Sequence, residues 1–149
     1  MNLMETNPVL LVADDDPDDR LLIREAMSEC KSRADLRCVE NGEDLLDYLL
    51  RRNRYASAEA PSPALILLDL NMPRKDGREA LREIKSHPAL KRIPVVILTT
   101  SKADTDIAGL YDLGANSFIS KPVHFDELVN VVRLLGEYWF RAVQLPAMK

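Results

Sequence analysis

Five short runs of β-branched and leucine side chains recur along this chain, at residues 9–13, 36–39, 64–68, 95–99 and 117–119, and segments of helical period separate them. Most of the runs are continuously apolar, the pattern of strands covered on both faces. Strict alternation of five strands with five helices implies a right-handed crossover between each strand and the next. The expected class is α/β: an open, doubly wound parallel sheet with helices on both faces.

The first helical segment sets Leu22, Ile23, Ala26, Met27 and Cys30 on one stripe, with Asp16 placed as N-cap and Pro17 as the first helical residue. Further helices are expected over 43–52, 78–86, 104–113 and 125–139. The polar connection at 53–63 is long for a loop but carries no sign of a domain boundary. The chain of 149 residues therefore reads as one domain at 9–140, between short tails at 1–8 and 141–149.

Hydrophobic residues make up 46% and charged residues 30%, the balance of a globular protein and not of a disordered or membrane one. No apolar run approaches the ~20 residues of a membrane span, and residues 1–8 lack the regions of a signal peptide. A cytoplasmic location without a membrane partner is expected. The net charge of -4 argues against a nucleic-acid surface, and the Arg51, Arg52 and Arg54 cluster reads as a solvated helix end. Cys30 and Cys38 have no metal or redox spacing and read as buried free thiols; His87 and His124 read as surface residues.

In a doubly wound sheet, ligands sit outside the carboxyl ends of the strands where strand order reverses. Asp14 and Asp15 follow the first run, Asp69 the third, Thr99 closes the fourth, and Lys121 follows the fifth. Three converging carboxylates repel one another unless a cation lies among them, and an oxygen-lined site of that kind suits Mg²⁺. A carboxylate beside a metal can attack phosphorus to give an acyl phosphate. Asp69 stands in the right place for that, with Lys121 as a second cation for phosphoryl oxygens. The Thr99 hydroxyl would then supply a hydrogen bond that exists only when phosphate is present. Asp16, Asp18 and Asp19 read as a solvated, helix-capping run, and Gly77 as a turn residue ahead of the third helix.

Four ordered motifs carry a resemblance. Val12-Ala13-Asp14-Asp15-Asp16-Pro17, Leu68-Asp69-Leu70-Asn71-Met72-Pro73-Arg74-Lys75-Asp76-Gly77, Pro94-Val95-Val96-Ile97-Leu98-Thr99 and Gly114-Ala115-Asn116-Ser117-Phe118-Ile119-Ser120-Lys121-Pro122 closely resemble the receiver domains of two-component response regulators. The resemblance implies a flavodoxin-like sheet of order 2-1-3-4-5 and phosphoryl transfer to Asp69 from a phosphohistidine of a sensor histidine kinase. It also implies Mg²⁺ held by Asp15, Asp69 and the main-chain carbonyl of Asn71, with Asp14 acting through water. Phe118 corresponds to the aromatic switch that swings inward when the threonine moves, and Lys121-Pro122 to a bond that is commonly cis. Thr100 departs from the smaller residue usual there. The stretch Lys91 to Ser101, the long loop before the third strand and Glu137-Tyr138-Trp139-Phe140 are similar to the stand-alone regulators of bacterial and cyanobacterial phytochromes.

A phosphohydrolase of the haloacid-dehalogenase type also uses an aspartate after a hydrophobic strand, but it needs a second aspartate two positions on, where this chain has Asn71. A phosphoacceptor switch that is not a turnover enzyme is the stronger reading. The chain past Phe125 is too short for an output domain, so signalling is expected through protein contacts. In the last helix, Phe125, Leu128, Val129, Val132, Leu135 and Trp139 form a stripe able to cover the sheet, while Val131, Leu134 and Tyr138 form a second. The surplus apolar strip, with Phe140, Val143 and Leu145 of the tail as an arm, predicts a homodimer through the last helix and C-terminal tail.

Overall fold

The computed structural model describes residues 7–57, 59–100 and 107–146. Strand β1 (Val9–Ala13) leads into α1 (Pro17–Glu29), β2 (Asp35–Val39) into α2 (Gly42–Leu50), and β3 (Leu65–Leu68) into α3 (Gly77–Ser86). Then β4 (Val95–Thr99), α4 (Ile107–Asp112), β5 (Ser117–Ser120) and α5 (Phe125–Glu137) complete the alternation, and a π-helical turn follows at Tyr138–Ala142. The start expected for the fourth helix, at 104, lies outside the described residues. The sheet is parallel throughout, in the order β2-β1-β3-β4-β5.

Successive side chains of a strand point to opposite faces. Leu11, Ala13, Ile66, Leu68, Val95 and Ile97 accordingly pack with Leu45, Leu81, Ile84 and Leu110, so α2, α3 and α4 share one face. Leu10, Val12, Leu65, Leu67, Val96 and Leu98 pack with Ile23, Ala26, Met27, Leu128, Val132 and Leu135, so α1 and α5 cover the other. Both faces are dry, which is why the central strands tolerate no alternation. The free thiols Cys30 and Cys38 are half-buried against the α1/α5 layer.

Local chemistry sets the helix ends. Asp16 caps α1 by accepting the Asp18 N–H, and Pro17 opens the helix. Asn41 and Asp76 cap α2 and α3 in the same way. Helix α2 stops at Leu50, earlier than expected, because Arg51 turns left-handed with φ 55°. The three clustered arginines are exposed, Arg54 pairing with Asp44 and Arg52 with Asp47.

The last helix differs from expectation in two ways. Phe125 is 39% exposed, because it stands in the first turn, and the buried contacts of α5 begin one turn later at Leu128. The tail does not extend away from the domain: Phe140 packs against the α1/α5 layer, and Phe140, Leu145 and Pro146 line a cavity of ≈ 340 Å³ with Pro8, Pro63 and Pro94. That cavity lies at the amino ends of the strands, opposite the acidic residues. Leu134 and Tyr138 remain half exposed.

Candidate functional site

With β1 flanked by β2 on one side and β3 on the other, chain direction after these strands diverges and leaves a crevice at their carboxyl ends. Main-chain bonds fix its floor: Asp14 N–H donates to Val39 O, Asp69 N–H to Ala13 O, and Lys121 N–H to Thr99 O. Helix α3 closes the crevice from below. Gly77 N–H donates to Leu70 O, and a Cβ on Gly77 would stand 2.4 Å from Asp69 O, so only glycine allows this approach. The expectation of a simple turn residue is thus sharpened. Gly42 plays the matching part for α2, where a Cβ would meet Lys75 O at 2.2 Å.

Asp14, Asp69 and Thr99 are the buried polar residues among those described. Buried polar groups must be paired, and these are. Asp14 Oδ1 accepts the Asp16 N–H at 3.0 Å, and Asp14 Oδ2 accepts from Lys121 Nζ at 2.7 Å. Asp69 Oδ1 accepts the Thr99 hydroxyl at 2.8 Å and the Asn71 N–H at 3.3 Å, while Oδ2 accepts from Lys121 at 3.2 Å. Carboxylate oxygens of Asp14, Asp15 and Asp69 lie within 4.8 Å of one another, with Asp15 exposed at the rim. Hard oxygen ligands at that spacing fit a divalent cation. Asn71 sits beside them, its peptide held by the bond to Asp69.

Burial pushes the Asp14 carboxyl above its ordinary 3.8, against the opposing pull of its hydrogen bond with Lys121. Burial also works to lower Lys121, but the hydrogen bonds it donates to Asp14 and Asp19 outweigh it and raise the lysine above its ordinary value. The ammonium is therefore firmly charged.

The geometry departs from expectation at three points. Thr99 does not wait for phosphate to find a partner, since its hydroxyl already faces the Asp69 carboxylate that closes the neighbouring strand β3. Asp19, read as part of a solvated run, accepts from Lys121 Nζ at 2.7 Å. No local spacing announces a contact between residues 102 apart. Third, the Lys121–Pro122 bond is trans, not cis; trans is the lower-energy state of an X–Pro bond. Phe118 is half-buried against the α2/α3/α4 layer, and its N–H donates to the exposed Tyr111 hydroxyl at 3.2 Å, a neighbour the sequence did not suggest.

Residues 10–133 match the sequence profile of the response regulator receiver domain. The chain belongs to that family. This receiver domain is 39% identical to the response regulator Rcp1 of Synechocystis sp., over 96% of this chain and 97% of Rcp1. The Mn²⁺-bound crystal structure of Rcp1 superposes with a TM-score of 0.84 at 38% identity, covering 94% of this chain and 99% of that one. The phosphorylated cyanobacterial phytochrome response regulator RcpA gives a TM-score of 0.86 at 40% identity, covering 95% and 100%. RPA3017, a response regulator in red light signaling of R. palustris, gives 0.88 at 38% identity, covering 95% and 99%. The receiver fold and its likeness to phytochrome response regulators are thereby established, and the Asp14–Asp15–Asp69 cluster is one that could hold a divalent metal ion. No helix among the described residues is long and apolar enough to cross a membrane.

Proposed function

We propose that this receiver domain is a phosphoacceptor switch, and not a turnover enzyme, in which Asp69 takes a phosphoryl group from the phosphohistidine of a sensor histidine kinase. The observation that carries the reading is the surround of Asp69: one buried carboxylate faced by a threonine hydroxyl, an ammonium and two further aspartates. An Asp69 oxygen attacks phosphorus, the phosphorus–nitrogen bond of the donor breaks, and the leaving imidazole keeps that electron pair and takes a proton. Lys121 offsets charge on the phosphoryl oxygens, and Thr99 redirects its hydroxyl hydrogen bond from the carboxylate to one of them. Mg²⁺ held by Asp14, Asp15, Asp69 and Asn71 would neutralise charge between carboxylate and phosphate. Movement of Thr99 then frees space on the β4–β5 side of the sheet, where Phe118 is the switch residue.

The kinase is of the phytochrome type, a reading supported by the likeness to Rcp1, RcpA and RPA3017. Signalling proceeds in the cytoplasm through protein contacts, without nucleic acid or membrane. A homodimer through α5 is supported by the half-exposed Leu134 on its outer face and Tyr138 in the turn that follows; the tail is better placed to brace its own domain than to serve as an arm. Incubation with Mg²⁺ and acetyl phosphate, or with phosphorylated kinase, should leave an acid-stable, base-labile label on Asp69 that Asp69→Asn lacks. Steady hydrolysis of a phosphomonoester, lost in the same variant, would instead establish an enzyme.

A further inference from the structure

The N3 position of α1 holds a carboxylate whose usual task is already taken. A side chain three residues after an N-cap commonly reaches back to the N-cap amide. Here that amide, Asp16 N–H, donates to Asp14 Oδ1 instead. Asp19 turns away from its own helix and accepts from Lys121 Nζ at 2.7 Å, as short as the contact with Asp14 and shorter than the 3.2 Å contact with Asp69. An ammonium has three N–H donors, and in Lys121 three carboxylates take them.

Two of those acceptors have other duties. Asp14 and Asp69 belong to the acidic cluster, and Asp69 is the proposed phosphoryl acceptor; Asp19 has neither duty. The Lys121 side chain is 11% exposed, so an ammonium that lost Asp14 and Asp69 without replacement would be stranded in a largely dry site. Asp19, 32% exposed at the rim, is the acceptor that can stay.

We infer that Asp19 is a positioning residue of the acceptor site: it holds the Lys121 ammonium in place while Asp14 and Asp69 turn to the cation and the incoming phosphoryl group. This rests on the phosphoacceptor reading of Asp69. The bland account is that Asp19 merely adds negative charge at a helix N-terminus, which neighbouring Asp18 does equally well.

The test is the rate at which the full chain is labelled on Asp69 by phosphoramidate at saturating Mg²⁺. Asp19→Asn should slow labelling about tenfold, the loss of one charge-assisted hydrogen bond at a partly exposed site. Asp18→Asn should stay within about twofold. In a Lys121→Gln background Asp19→Asn should change the rate less than about twofold, since coupled residues are not additive. Equal slowing by the Asp18 and Asp19 variants, or a tenfold loss that persists in the Lys121→Gln background, would overturn the inference. A second readout needs no phosphoryl transfer. In the Mg²⁺-saturated protein the Lys121 ammonium ¹⁵N resonance should be sharp in wild type and Asp18→Asn, retained in Asp19→Glu, and lost to fast proton exchange in Asp19→Asn. A wild type that takes no label would end the phosphoacceptor reading; an ammonium signal unchanged in Asp19→Asn would end the positioning role.

Discussion

Asp14 shows how a buried carboxylate of the candidate site is held at a cost to stability. Its carboxyl is raised above 3.8, chiefly by burial. Between 3.8 and the raised value the folded chain binds more protons than the unfolded one, so stability falls as pH rises through that window. Above the window the charge is a constant penalty in the metal-free protein. Asp14→Asn should therefore raise the melting temperature at pH 7 in chelator. The gain should vanish as pH is lowered to 3.8. A variant less stable than wild type at pH 7 would show that the Lys121 contact outweighs burial. Thr99 makes a complementary case: its hydroxyl donates to Asp69, and in the switch proposed above it is the sensor and not the nucleophile. Thr99→Ala should still take label on Asp69. It should lose the amide shifts that beryllofluoride produces at Phe118 and Tyr111 in wild type, because coupling requires a group that interacts differently with the two states. Wild-type shifts in the variant would remove Thr99 from the switch.

At the scale of elements, two helix starts hold the crevice in shape. Asp76 caps α3 while Gly77 brings its first turn against the main chain of Asp69 and Leu70. The Cβ of Gly77→Ala would meet backbone, which cannot swing aside as a side chain tip can, so α3 must shift. The expected cost is about 1–3 kcal/mol in urea unfolding, with weaker cation binding from the displaced Asp69. Unchanged stability and cation affinity would show that the approach is looser than the structure has it. Much of the element pattern was legible in the chain. Asp16-Pro17 announces a helix start through capping chemistry, and Leu65 to Leu68 announces a doubly covered strand through its unbroken apolar character. The early stop of α2 at Arg51 was not legible, because a left-handed arginine has no local signature of the kind glycine carries.

The whole molecule has two working ends. The acidic crevice opens at the carboxyl ends of the strands, and the tail braces the amino ends through Phe140, Leu145 and Pro146. Sites so far apart with no shared partners behave additively. Phe140→Ala should thus lower stability by ~1–2 kcal/mol, less than for a fully buried phenylalanine, without changing cation affinity. A silent substitution in urea unfolding would mean that the tail does not brace the domain in solution. The proposed dimer is a separate matter, and it rests on the outer face of α5. Light scattering at micromolar concentration should find a dimer for the full chain and a monomer for Leu134→Asp. A wild-type monomer, or a dimer indifferent to Leu134→Asp, would remove α5 from any interface.

The sequence by itself determined the alternation of elements, the parallel doubly wound sheet and the line of Asp14, Asp15, Asp69, Thr99 and Lys121 at its carboxyl ends, because strand period, capping and apolar run length act over a few residues. Only the tertiary structure decided which acceptors Lys121 takes, that Thr99 donates to Asp69, that Gly77 lies against it, and that the tail folds back. The Lys121 contacts join residues up to 107 apart, and hydrogen-bond choice among several nearby carboxylates depends on distances of a few tenths of an ångström. Asp19 is the clearest instance: its role in α1 can be read from its neighbours, whereas its bond to Lys121 exists only because β5 ends beside β4 and delivers the lysine to it.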